Sequence, residues 1–174
     1  MRRFIRRFVH SMRVSRGAIL KHPRPAKLRQ RDLIVWAPFP SPALFDVDDF
    51  ALVPQSSAFG VLETKSSNYD AGVAALEEFV EEAPADVGNL APHPDDDHRR
   101  AVMGVIGLID GNPSQRLARL LEQKSVVGVF QRRGDDVDVR SPDIITLVNF
   151  LHRVSWRYRV RAALLPQLTE IAGR

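Results

Sequence analysis

A carboxylate and an amine stand two residues apart where an apolar run stops. The run is Ala58-Phe59-Gly60-Val61-Leu62-Glu63-Thr64-Lys65-Ser66-Ser67. Strand side chains alternate, so Val61, Glu63 and Lys65 point one way and Leu62 and Thr64 the other. Apolar residues on both faces predict a central strand covered on both sides. Charges at the end of such a strand are costly unless each is paired or binds a metal. Metal-assisted cleavage of a phosphodiester uses both groups: the carboxylate holds a divalent cation, and the ammonium orients the attacking water or offsets charge on the phosphate. The plainer alternative for Glu63 and Lys65 is a surface ion pair.

Two further features favour the chemical reading. Lys65 is one of four lysines (Lys21, Lys27, Lys65, Lys124) in a chain with 21 arginines, so a lysine here does not come from a plentiful supply. An acid, Asp32, also opens an upstream strand-like stretch, Asp32-Leu33-Ile34-Val35-Trp36, from which it could reach the same place. Competing constellations are missing from the sequence. It has no glycine-rich phosphate loop and no Ser-His-Asp grouping, and the absence of cysteine excludes disulfides and thiolate metal sites.

The elements that must position these residues fit one domain spanning 1–174. No apolar run approaches the roughly 20 residues needed to cross a bilayer. The net charge of +4 conceals an asymmetry. Residues 1–31 hold 11 of the 25 basic residues and no acid, which leaves 14 basic against 21 acidic residues, a balance of −7, in the remainder. A basic partner surface therefore belongs to the N-terminal segment.

In chain order, residues 2–12 read as an amphipathic helix with Phe4, Ile5, Phe8, Val9 and Met12 on one stripe and Arg2, Arg3, Arg6 and Arg7 around it. Three readings stand: a helix packed on the sheet, one whose arginines also contact phosphates, and a cleaved presequence. Residues 13–20 predict a strand with a bulge at Gly17, His22 to Pro25 a turn, and residues 31–36 a second strand. Pro38, Pro40 and Pro42 enforce a loop, Asp46, Asp48 and Asp49 read as solvated loop acids with a metal carboxylate at Asp48 or Asp49 as the alternative, and Phe50–Val53 as a short edge strand. Asn68–Ala83 predicts a helix capped by Ser67 or Asn68 and ended by Pro84. His93-Pro94-Asp95-Asp96-Asp97-His98 suits a polar loop rather than a metal site. Val102–Ile109 predicts a core strand, and 113–123 a helix with Asn112 as cap and Pro113 first. Residues 126–131 and 137–139 predict a hairpin. Ser141-Pro142-Asp143 opens a last long helix whose basic end carries Arg153, Arg157, Arg159 and Arg161.

Strands flanked by helices make an α/β or α+β layer. With Asp32 on the second strand and Glu63-x-Lys65 on the third, the chain resembles the PD-(D/E)XK nuclease superfamily, the fold of many restriction endonucleases. More closely, Gln30-Arg31-Asp32-Leu33-Ile34-Val35-Trp36, then Leu52-Val53-Pro54, then Val61-Leu62-Glu63-Thr64-Lys65-Ser66-Ser67 is similar to a family of uncharacterised bacterial nuclease-like domains. The resemblance implies a central mixed sheet flanked by helices, with Asp32 and Glu63 as ligands of Mg²⁺ or Mn²⁺. It also implies the Thr64 carbonyl as an extra ligand, Lys65 as the catalytic amine, and Gln30 beside the metal-bound water or phosphate. Ser66 and Ser67 would cap the next helix. Many members carry a further acid on the first helix, and none precedes Asp32 here. Either that helix is truncated at its start or that ligand is missing.

Three hypotheses follow. The first is a divalent-metal-dependent nuclease acting on DNA, cytoplasmic, with a homodimer as one arrangement and a role in bacterial defence implied by family analogy. The second is an inactive nuclease-fold module that holds nucleic acid or a protein partner through Arg2, Arg3, Arg6 and Arg7. The third is a structural domain in which Glu63 and Lys65 are an ion pair.

Overall fold

A computed structural model describes residues 1–20, 28–38, 42–81 and 101–172, with the side chains of the last helix followed to residue 160. The expected turn at residues 22–25, the His93–His98 stretch, the Pro84 stop and the Arg161 side chain lie outside the described residues.

Eight strands form one mixed sheet in the order β3-β4-β1-β2-β5-β6-β7-β8. They are β1 (Arg13–Leu20), β2 (Gln30–Trp36), β3 (Phe45–Val47), β4 (Phe50–Pro54), β5 (Ala58–Ser67), β6 (Ala101–Asp110), β7 (Val126–Arg133) and β8 (Asp136–Val139). β5, β6 and β7 run parallel, and β2 pairs antiparallel with both β1 and β5. The apolar runs of β5 and β6 occupy the middle of the sheet, where both faces are covered.

Helices cover the two faces as separate layers. On one side α1 (Arg2–Arg6) and α4 (Ser141–Ala172) share a core in which Ile5, Val9 and Met12 meet Leu62, Val105, Leu147, Leu151 and Val154. On the other side lie α2 (Asp70–Glu81) and α3 (Gln115–Glu122). Phe79 of α2 packs there with Ile34 and Val61, and Leu76 with Ile106 and Leu117. Among the described residues, no helix is long and apolar enough to cross a membrane.

Several boundaries differ from those expected. The helix predicted over 2–12 stops at Arg6. Beyond it, the Phe8 amide donates to Ile5 and the Met12 amide to Val9 in tighter turns. Arg2 and Arg6, and Arg3 and Arg7, are like charges four apart that work against a longer helix, while the burial of Ile5, Val9 and Met12 is kept. The acids at 46–49 are not an open loop. Asp48 and Asp49 both take positive φ (48° and 72°) in the two-residue turn joining β3 to β4, as a type I′ hairpin requires. β4 is therefore interior, paired in parallel with β1, and β3 is the edge.

Ser114 rather than Asn112 caps α3, its Oγ accepting from the Leu117 amide at 3.3 Å, so Pro113 precedes the helix. Ser66 and Ser67 do not cap α2. They extend β5, because its ladder with β6 runs on to Ser67 opposite Leu108.

Gly17 sits where the β1–β2 register shifts, but the extra residue is on β2. Between Ser15↔Ile34 and Gly17↔Arg31, β1 advances two residues and β2 three. Gly17 itself answers a different need. Its φ is +146°, and a side chain there would collide with the Ala51 carbonyl of β4.

Candidate active site

The parallel register with β6 assigns a face to each residue at the end of β5. Glu63 lies beside Gly104, Thr64 beside Val105 and Lys65 beside Ile106. Ile106 belongs to the core under α2 and α3, and Val105 to the core under α4. Glu63 and Lys65 therefore face the α2 layer, and Thr64 faces the α4 layer. Lys65 runs past Gly72 of α2, where an added Cβ would lie 3.7 Å from the Lys65 Cγ.

The Lys65 Nζ donates to the Glu63 Oε1 at 2.8 Å. Their side chains are 26% and 15% exposed, so the pair sits in a partly dry setting that remains open to a ligand. Arg31 is a second cation near Glu63. Burial lowers its guanidinium below the ordinary value, while Glu63 pulls the other way. The same guanidinium lies over the Phe79 ring of α2 at 5.4 Å. Nothing in the expected motif assigned Arg31 a role. The only signal for it was its place directly before Asp32.

Asp32 and Leu33 of β2 together lie opposite Arg16 of β1, where β2 carries its extra residue. A bulge breaks the simple alternation, and the Asp32 carboxylate turns to Thr64. Its Oδ2 accepts from the Thr64 amide at 2.9 Å and from the Thr64 hydroxyl at 3.1 Å. The fold thus builds two polar pairs, Asp32–Thr64 and Glu63–Lys65, joined through the Glu63–Thr64 peptide. Gln30 begins β2 and is exposed.

The basic residues of the N-terminus lie elsewhere. Phe4 and Phe8 pack against the α4-side core, and the Phe8 ring meets His152 of α4 at 5.9 Å. Arg2 is committed locally. Its Nε donates to the Val14 carbonyl at 3.0 Å, and it pairs with Asp49. Arg3, Arg6 and Arg7 are exposed on this same segment. The arginines and the Glu63–Lys65 pair thus belong to opposite layers of the sheet.

The donor set tests the fit of a cation. Mg²⁺ takes oxygen ligands and commonly uses one or two carboxylates, with water and substrate phosphate completing the shell. Asp32 and Glu63, from adjacent strands, supply two carboxylates, the first bonded to Thr64, which faces the α4 layer, and the second to Lys65 on the α2 side. Among the described residues no group of three or more His, Cys, Asp or Glu gathers to hold a metal.

No family model and no curated protein sequence matches the chain. Solved structures similar to it include P. aeruginosa ATCC27853 NucC in its cAAA-bound form, at 14% identity and a TM-score of 0.49, covering 87% of this chain and 79% of that one. E. coli MS115-1 NucC is similar in its cAAA-bound form at 15% identity and a TM-score of 0.48, covering 87% and 71%. Its apo form gives 14% identity and 0.48, covering 91% and 88%.

Proposed function

We propose that this chain is a divalent-metal-dependent nuclease that hydrolyses phosphodiester bonds in DNA. The observation that carries the reading is the Glu63–Lys65 pair, partly exposed at the end of a central strand, with the Asp32 carboxylate held one residue away on Thr64. In this reading Asp32 and Glu63 hold Mg²⁺ or Mn²⁺, with the Thr64 carbonyl as a further ligand. The bound cation supplies charge stabilisation for the phosphate and lowers the pKa of water.

The side chains then divide the remaining work. Lys65, released from Glu63, donates to the attacking water or to a phosphate oxygen and offsets charge gained in the transition state. Arg31 balances the phosphate charge from beside Glu63. The two hydrogen bonds from Thr64 hold Asp32 in a fixed orientation, so no reorganisation is needed as the reaction proceeds. Gln30 contacts the phosphate or the water at the start of β2. Arg2, Arg3, Arg6 and Arg7 touch the polymer away from the scissile bond.

A second reading has its own support. Glu63 already has Lys65 as a partner at 2.8 Å, Asp32 is bonded to Thr64, and among the described residues no group of three or more His, Cys, Asp or Glu gathers. An inactive module that binds nucleic acid or a protein partner fits that arrangement. The deciding experiment incubates plasmid, single-stranded DNA and RNA with the chain in Mg²⁺, Mn²⁺ or EDTA, beside Lys65→Ala. Metal-dependent cutting that Lys65→Ala abolishes supports the nuclease. Binding without cutting in either metal supports the module.

A further inference from the structure

A pocket of about 370 Å³ opens between the N-terminal segment, the start of β1 and the β3–β4 hairpin. That volume is within the range of small-ligand sites. Its charged lining consists of Arg2, Arg6, His10, Arg13, Asp46 and Asp49. Two acids meet three guanidiniums and an imidazole, and the acids are already taken. Asp49 pairs with Arg2, and Asp46 pairs with Arg13. Among the described residues, neither Arg6 nor His10 has an ion-pair partner. The Arg6 guanidinium therefore has no acid of the lining to answer it, and the His10 imidazole stands beside it on the pocket wall.

The cations are also held in place. Arg2 is fixed by its bond to the Val14 carbonyl at 3.0 Å, and the Arg13 guanidinium lies 5.6 Å from the centre of the Trp36 ring. The wall behind them is Val9 and Met12, both buried in the α4-side core. The Arg2 guanidinium is lowered below its ordinary value, first by burial and then by the charge of Arg6, with Asp46 opposing.

We infer that this pocket is an anion site for a phosphate group, separate from the Glu63–Lys65 site. Guanidiniums suit a tetrahedral anion because their planar forks reach several oxygens at once. The pocket has room for a phosphate carried on a larger molecule, either a small phosphate ester or the backbone of a nucleic acid. The inference does not rest on the proposed hydrolysis. Lys65 faces the α2 layer, whereas Val9 and Met12 belong to the α4 layer.

The test measures binding of pyrophosphate, 5′-AMP and a short mixed-sequence single-stranded oligonucleotide to the full chain at low salt, without divalent metal. The proteins are the wild type, Arg6→Ala/His10→Ala, Arg6→Lys and Arg133→Ala. The double variant should bind about tenfold or more weakly, Arg6→Lys should retain part of the affinity, and Arg133→Ala, which removes an exposed arginine of β7, should bind as the wild type does. Binding of pyrophosphate and AMP identifies a free phosphate ester, and binding of the oligonucleotide alone identifies the backbone. The inference is overturned if the wild type binds none of the three. It is equally overturned if the double variant, shown to be folded by circular dichroism, binds unchanged, or if Arg133→Ala loses as much. Should the double variant fail to fold, Arg6→Lys and His10→Ala singly carry the same comparison.

Discussion

One oxygen of Asp32 accepts two hydrogen bonds from Thr64, the amide at 2.9 Å and the hydroxyl at 3.1 Å. Asp32 is thus a structural link between β2 and β5 whatever else it does. Asp32→Ala should destabilise the fold by about 1–3 kcal/mol, because two partly buried donors lose their acceptor. Thr64→Val, which keeps the amide bond, should cost less. Urea denaturation of the two variants checks the order. Equal stability of Asp32→Ala and wild type would remove the link.

Lys65 and Glu63 should separate chemistry from folding. Lys65→Ala should lower the cleavage rate about 10²–10⁴-fold and, because it leaves the largely covered Glu63 without this partner, lower the melting temperature by about 2–4 °C. Single-turnover cleavage and thermal melts on the same preparations read both quantities. A large fall in melting temperature with unaltered cleavage would assign the pair to structure.

Glu77 ties α2 to α3 by accepting from Arg116 and Arg119, the latter at 2.9 Å. The Arg116 bond, foremost, holds the Glu77 carboxyl below its ordinary value. A folded-state pKa below the unfolded one means the contribution is present above the ordinary glutamate range and is lost as pH falls through the folded value. Glu77→Gln should therefore lower the melting temperature by about 2–4 °C at neutral pH and by less in acid. Melting curves of both proteins across pH 3–7 should converge at the acid end, and parallel curves would refute the assignment.

Gly17 should resist substitution more than any surface glycine. Its φ of +146° disfavours a side chain, and the Ala51 carbonyl occupies the space a Cβ would need. Gly17→Ala should cost about 3 kcal/mol. Gly134, in the β7–β8 turn with open space around it, should tolerate alanine better, although its positive φ is still strained. Chemical denaturation of the two variants compares them directly.

The apolar runs, their periods and their punctuation specify most of the elements locally. The runs at 58–65 and 102–109 are strands buried on both faces, and Ser141-Pro142-Asp143 opens the long final helix. The pairing of Glu63 with Lys65 was legible for the same reason, since period-two alternation puts them on one face. These are local properties, set by residues within a few positions of one another.

Contacts between distant segments decided the rest. Asp46 and Asp49 looked like free loop acids because nothing nearby announces Arg13 and Arg2 as their partners. Arg31 acquired Glu63 as a neighbour, and Asp32 turned to Thr64, through an extra residue in β2 that exists only in the register against β1. That the basic N-terminus and the Glu63–Lys65 pair occupy opposite layers also follows from which face α1 covers. Register and layer are chosen by burying the whole set of apolar faces together, a global minimum that no short window of sequence can express.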